Sequence, residues 1–352
     1  MRIGFYAGSC LPISANSIEE RPLGGTETGV IRVAEILARR KHDVVVFTSM
    51  KAPPLSIPQY VPQSYIHSSG RFDVMVLVKD WKPAVFNIAS NRIFYWTGDG
   101  FDQYINFGLG DRRVVKRIEK LLSVSKWQAT TMCEKSGFPI EKTFFVGNGA
   151  HLLYFEGKEE RARKRLIFTA APYRGLALMP KIFLKVRESH QDAELHVFSG
   201  MSVYDTDKPF QGPQVAEFER ISSILKKIPG VVMHGNVTQK VLARELMRSS
   251  VFVYPNIIFE TCCINAIEAQ AAGCPVVASR NSGLVETVHN AGILIDELPG
   301  SEEYISSFVN AVSRLLENEK LWIKLSQNAL HRAKTQFSWE HVADRFEAAF
   351  NQ

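Results

Sequence analysis

No apolar run in this chain approaches the ~18–20 residues that a bilayer-spanning helix requires, so no segment is expected to cross a membrane. Cysteine is scarce. Cys10, Cys133, Cys262, Cys263 and Cys274 are an odd set with no C-x-x-C pair, which excludes a disulfide framework and a zinc knuckle. The nine histidines are scattered, without the H-E-x-x-H spacing of a zinc protease. The opening "MRIGFYAGSC" lacks the basic stretch, apolar core and small-residue cleavage site of a secretory leader. The expected location is therefore cytoplasmic, with the inner face of a membrane as a second address. No G-x-G-x-x-G follows the first apolar run, where "YAGSCLPIS" fails the pattern of a dinucleotide fold. There is no short-period repeat and no low-complexity tract.

What is present is an ordinary globular composition, 45% hydrophobic and 22% charged, in 352 residues, long enough for two domains. The net charge of +6 is concentrated in "RRVVKRIEK" (112–120) and "KEERARKR" (158–165). These runs read as solvated helix faces or as attraction to an anionic partner, a phosphate-bearing substrate or an acidic membrane surface. Aromatics do not interleave with them, so nucleic acid is not an expected partner.

Short apolar runs alternate with helical stretches throughout. "RIGFYAG" (2–8), "DVVVFTS" (43–49), "DVMVLVK" (73–79), "RIFYWTG" (92–98), "KLLSVS" (120–125) and "TFFVGNG" (143–149) suit parallel strands covered on both faces. "GVIRVAEILARR" (29–40) places Val30, Val33, Ala34 and Leu37 on one helical face, which makes a βαβ unit. "LIFTAA" (166–171), "ELHVFSG" (194–200), "GVVMHGN" (230–236), "SVFVYPN" (250–256), "PVVASRN" (275–281) and "GILID" (292–296) repeat the theme. The expected class is α/β, with two Rossmann-like doubly wound parallel-sheet domains facing a central cleft: residues 1–157 and 158–337. A final amphipathic helix over 338–352, with Ser338 as N-cap, is assigned to the first domain. The Pro/Ser-rich stretch 50–70 reads as a loop.

In such sheets chemistry gathers at strand-to-helix turns. The turn after "SVFVYPN" leads into "FETCCINAIEAQAAGCPVVAS" (259–279), where two glutamates stand eight residues apart in an apolar run. The pattern predicts a helix over 261–272 with Glu260 at its entrance and free amides at 262–264, a ready phosphate site. Glu268 then lies at most ~12 Å along the axis from Glu260. A nucleotide diphosphate sugar has matching polar groups at that span. The spacing alone equally fits a carboxylate favoured by the helix dipole and a solvated helix glutamate.

This stretch resembles the E-x7-E signature of the large family of retaining glycosyltransferases with the GT-B fold. Other pieces follow in family order over nearly the whole chain: "GGTET" (24–28), "SVSKWQ" (123–128), "VGNGAHLLYF" (146–155), "YRGL" (173–176), "NSGLVE" (281–286) and "FSW" (337–339). The resemblance implies transfer of a hexosyl group from a nucleotide sugar to a hydroxyl, with the acceptor seen by the first domain and the donor by the second. No metal or other cofactor is implied. Glu260 would position the donor sugar, Arg174 would neutralise the diphosphate, and Glu268 would bind ribose. Gly24, Gly25 and Thr26 would let backbone approach phosphate, and Thr261, Cys262, Cys263 and Ile264 would present the helix amides. Asn236 and Val237 would seat the base. The acceptor is unspecified: a glycan, a lipid-linked sugar or a small molecule, with peripheral membrane association compatible with the basic surface.

Two departures stand out. In "YWTGDGFDQ" (95–103), Gly98 falls where many members carry histidine, which leaves Asp99 as the nearest polar side chain and the third expected catalytic residue. The family's second phosphate-clamp cation falls at Thr169 or Ala170. A nucleotide-sugar epimerase and a non-catalytic nucleotide-sugar-binding subunit are the competing readings.

Overall fold

The computed structural model describes residues 1–205 and 211–352, and its contacts divide the chain into two units. Met1–Gly149 and Ser338–Gln352 form unit 1, and Ala150–Phe337 forms unit 2.

Unit 1 runs β1 (Arg2–Ala7), α1 (Ser17–Glu20), α2 (Gly25–Arg39), β2 (Asp43–Thr48), β3 (Gln59–Pro62), β4 (Phe72–Val78), β5 (Ser90–Trp96), α3 (Arg112–Arg117), β6 (Lys120–Ser123), α4 (Lys126–Ser136) and β7 (Thr143–Phe145). The strands pair in parallel in the order β3-β2-β1-β4-β5-β6-β7. Ile3 stands between Val44 and Val74, all three buried, as continuous apolar runs demand. On α2, Val30, Val33, Ala34 and Leu37 are fully buried, the face that the periodicity predicts.

The stretch 50–70 departs from expectation, since Gln59–Pro62 adds β3 to the sheet. Val46 pairs with Tyr60, and the prolines are tolerated because β3 is the edge strand, with no neighbour on its far side.

Unit 2 runs β8 (Arg165–Phe168), α5 (Met179–Ser189), β9 (Glu194–Val197), α6 (Pro213–Leu225), β10 (Val231–Met233), α7 (Gln239–Arg248), β11 (Val251–Tyr254), α8 (Ile264–Ala271), β12 (Val276–Ser279), α9 (Leu284–Val288), β13 (Gly292–Ile295), α10 (Glu302–Glu317) and α11 (Glu319–Gln336). Its six parallel strands follow the order β10-β9-β8-β11-β12-β13. The core between the sheet and its helices is a continuous set of aliphatic and aromatic side chains, Phe168, Phe183, Phe252 and Phe308 among them. Both sheets are therefore doubly wound. Strand order reverses between β1 and β4 in unit 1 and between β8 and β11 in unit 2, so the loops leaving these strands diverge and open a crevice.

The last helix, α12 (Trp339–Phe350), returns to unit 1. Ser338 caps it by accepting the His341 amide at 3.1 Å. Phe346 meets Trp96 edge-on at 4.9 Å, and Phe350 meets Phe94 at 5.2 Å. Glu347 accepts from Arg40 at 2.5 Å and lies 2.9 Å from His42, which ties α12 to the end of α2. Gly149 makes the closure possible: a Cβ there would fall 2.7 Å from the Trp339 amide nitrogen. Among the described residues, no helix is long and apolar enough to cross a membrane.

Candidate functional site

The loops leaving β8 and β11 are neighbours at the switch point of unit 2. The first carries Arg174, and the second carries Glu260. Arg174 donates from Nη1 to Glu260 Oε2 at 2.6 Å. The Tyr254 hydroxyl, at the end of β11, donates to the same oxygen at 2.5 Å. Burial works against the charge on Arg174, but the Glu260 carboxylate outweighs it and holds the guanidinium well above its ordinary pKa. Burial, followed by the Glu260 charge, raises the Tyr254 phenol well above its usual range, so it remains a donor. Gly175, at φ +105°, makes the sharp turn after Arg174. A Cβ there would meet the Pro255 carbonyl oxygen at 2.0 Å, so only glycine lets the two loops pass this closely.

The helix after Glu260 begins later than its sequence suggests. Asn256 accepts from the Ile258 amide at 3.2 Å and donates to the Ile258 carbonyl at 2.7 Å. Asn281 donates to the same carbonyl at 2.7 Å, and the Gly283 amide bonds the Glu260 carbonyl at 2.7 Å. Backbone claimed by these neighbours cannot wind into a helix. Thr261 and Cys262 consequently stay in the loop, Cys263 turns the chain at φ +43°, and α8 starts at Ile264. The expected amides at 262–264 thus move along the chain: Ala266 and Ile267 bond back to Cys263, and Ile264 and Asn265 head the helix.

Glu268 lies about one turn further on, with 7% of its surface exposed, the same fraction as Glu260. That burial corrects the reading of Glu268 as a solvated helix residue. Desolvation pushes its carboxyl up to about 8. Asn265 donates to the Thr169 carbonyl and so ties the head of α8 to the end of β8. Thr169 and Ala170 are buried, and no cation stands at either position.

Asn236 and Val237 follow β10, with Asn236 Nδ2 donating to Ser202 Oγ at 2.9 Å. Beside them is a ring column that sequence reasoning missed. His234 stacks on Phe198 at 4.1 Å, and its Nε2 lies 2.9 Å from His196 Nδ1. Burial lowers the pKa of both imidazoles below the ordinary value.

Unit 1 gathers its own set at the ends of β1, β4 and β5. Gly24 caps α2, which opens with Gly25 and Thr26; a Cβ on Gly98 would stand 3.7 Å from Thr26 Oγ1. The Asp99 backbone is pinned: its amide bonds Thr97 Oγ1 at 3.0 Å, and its carbonyl accepts from Gln128 Nε2 at 2.8 Å. Two further charged groups belong to this set. Glu27 is buried and accepts the Leu11 amide at 3.1 Å. Lys79 follows β4 at φ +68°, its amide bonded to the Trp96 carbonyl at 2.8 Å. Burial opposes the Lys79 charge, yet Asp99 and then Glu27 raise its pKa above the ordinary value. The visible signal was a lone cation ending the apolar run "VMVLVK".

The described residues hold no group of three or more His, Cys, Asp or Glu side chains placed to take a metal ion. Comparison with known proteins sharpens this picture. Residues 163–318 match the family model of glycosyl transferases group 1. The MMP alpha-(1->4)-mannosyltransferase of Mycolicibacterium hassiacum is 25% identical over 261 residues, 73% of this chain and 60% of that protein. The sucrose synthase of Nitrosomonas europaea is 35% identical over 120 residues, 32% of this chain and 15% of that protein. The chain thus spans 60% and 15% of these curated relatives. Among solved structures, Anabaena Alr3699/HepE in complex with UDP and glucose superposes with a TM-score of 0.76 at 15% identity, covering 100% of this chain and 99% of that one. Sucrose-phosphate synthase from Thermosynechococcus elongatus gives 0.73 at 16% identity, covering 100% and 98%. These likenesses show the fold, GT-B.

Proposed function

We propose, for a chain that belongs through residues 163–318 to the glycosyl transferases group 1, transfer of a hexosyl group from a nucleotide diphosphate sugar to a hydroxyl acceptor with retention of configuration. The observation that carries this reading is the buried pair Glu260 and Glu268 on either side of the α8 N-terminus, with Arg174 against Glu260.

Each group has a physical task. The α8 amides and the Arg174 guanidinium face the donor diphosphate and stabilise the negative charge that grows on it as the glycosidic bond breaks. Glu260, held by Tyr254, accepts hydroxyls of the donor sugar and fixes its orientation. Glu268 accepts the ribose hydroxyls. The turn at Asn236 and Val237 takes the base. Gly24, Gly25 and Thr26 offer backbone to the phosphate, and Asp99 contacts sugar or acceptor. Arginine and helix amides supply the positive field, so the proposal needs no metal or other cofactor. The leaving phosphate assists deprotonation of the acceptor on the same face. The acceptor is a glycan, a lipid-linked sugar or a small molecule.

The absence of a cation at Thr169 and Ala170 favours a second reading, a nucleotide-sugar-binding subunit without turnover. Calorimetry with UDP-, GDP-, ADP- and dTDP-glucose tests the first. One of them is expected to bind the parent and to bind Glu268→Ala at least tenfold more weakly. Equal binding by that variant would remove the ribose assignment. Donor binding with no product against a broad acceptor panel would establish the subunit reading.

A further inference from the structure

The two basic runs of the sequence meet opposite fates in the fold. In 158–165, Arg161 donates to the Ser249 carbonyl and, at 2.6 Å, to the Ala272 carbonyl. Arg161 and Arg163 both lie over the Trp322 ring, Lys164 pairs with Asp192 at 2.7 Å, and Arg165 pairs with Glu245. Those charges hold unit 2 together.

The run 112–120 is different. On α3, Arg112, Lys116 and Arg117 are exposed, and none makes an ion pair among the described residues. Among the described residues Arg113 alone of the run's cations has a carboxylate partner, the capping Asp111 at 3.1 Å, while Lys120 donates to the Glu141 carbonyl at 3.3 Å. Glu119, the acid within the run, is turned to Arg92 at 3.6 Å.

Large apolar side chains stand in water beside these cations. Arg117 Nε donates to the Ala84 carbonyl at 3.1 Å, which places α3 against the turn Lys82–Val85. Val85 and Phe86 on that turn are 49% and 60% exposed. Tyr104 and Phe107, just before α3, are 75% and 64% exposed. A Cβ on Gly108 would sit 3.1 Å from the Trp81 ring, so the 104–108 turn lies against the 81–86 turn. The result is an exposed patch, apolar on two turns and basic on the helix that follows.

We propose that this face of unit 1 docks on an anionic lipid bilayer, with Phe86, Tyr104 and Phe107 at the headgroup level and Arg112, Lys116 and Arg117 against lipid phosphates. The charge sign and the interfacial aromatics select this partner together. A single-stranded nucleic acid would want rings alternating with cations along a groove, and here the rings precede a cationic helix that carries no aromatic residue. The inference uses no residue of the proposed sugar-transfer site, so either can fail without the other.

Vesicle flotation tests it, with liposomes of equal parts phosphatidylcholine and phosphatidylglycerol against phosphatidylcholine alone. The parent is expected to float with the anionic vesicles only and to be released by added salt. The double variant Arg112→Gln, Lys116→Gln should partition roughly thirty-fold more weakly. Tyr104→Ser with Phe107→Ser should also weaken flotation with all cations in place, and the control Lys158→Gln should leave it unchanged. All of these positions are exposed, and thermal melts matching the parent's check that the variants fold. The proposal is overturned if the parent floats on neither vesicle or equally on both. It is also overturned if either double variant floats like the parent, or if RNA displaces the protein from anionic vesicles.

Discussion

Arg174 and Glu260 lie 86 residues apart in sequence, and the adjacency of β8 and β11 brings them to 2.6 Å. Removing the arginine leaves a buried carboxylate with the Tyr254 hydroxyl as its remaining side-chain donor. Arg174→Ala is expected to destabilise the chain by about 1–3 kcal/mol, the lower part of the range for a broken buried pair because Arg174 is partly exposed. Adding Glu260→Gln to that variant should recover part of the loss. Urea unfolding of parent, both single variants and the double variant measures the coupling; strict additivity would mean the pair contributes nothing.

Glu268 sets a pH dependence of definite sign. Its carboxyl is pushed up to about 8 in the folded chain from an ordinary 4.5, so the folded state keeps a proton that the unfolded state has released. Between those values stability falls as pH rises. Glu268→Gln abolishes the titration. Its melting temperature should exceed the parent's near pH 9, by the equivalent of about 1–4 kcal/mol, and the gap should close near pH 5. A gap that does not change with pH would show that burial does not govern this carboxyl.

Gly149→Ala is predicted to loosen α12. Its Cβ would press on the backbone of Ser338 and Trp339 at 2.8 Å and 2.7 Å, contacts that no rotamer change relieves. A loss of about 1–3 kcal/mol is expected, with earlier proteolytic cleavage near residue 338. Unchanged urea midpoint and cleavage rate would count against a tight closure.

The cysteines supply a quick measure of order. All five are free and buried, and burial raises the thiols of Cys10, Cys133, Cys263 and Cys274 above their ordinary values. Native protein should react with a thiol reagent only as fast as it opens, and denatured protein should react at all five positions. Immediate labelling of Cys262 or Cys263 in the native state would show that the loop before α8 opens locally.

The sequence announces what repeats at short range. Apolar runs covered on both faces name every described strand but β3, four buried positions name the face of α2, and Ser338 names the start of α12. It also marks Glu260 and Arg174 separately, on the turns where a doubly wound sheet opens. It does not show that they touch, since that depends on which strands become neighbours across many intervening residues. Tyr254 was hidden for a related reason, because a tyrosine ending an apolar strand looks like core until its hydroxyl is seen on a carboxylate. Lys79 is marked as the cation ending an apolar run, but its φ of +68° and its place beside Asp99 and Glu27 are not written in that run. The late start of α8 comes from hydrogen bonds to the 281–283 turn, whereas helix propensity and caps are read from adjacent residues only. β3 was lost behind its prolines, which forbid a central strand and permit an edge.

The return of α12 has a consequence for biosynthesis. A ribosome delivers residues 338–352 only after every residue of unit 2 has emerged. Until then Phe94 and Trp96 lack the rings of Phe350 and Phe346 that cover them in the finished fold. Of the two units, the one whose translation starts first is thus the last to be completed, and a nascent chain stalled anywhere in unit 2 leaves Phe94 and Trp96 without these ring partners.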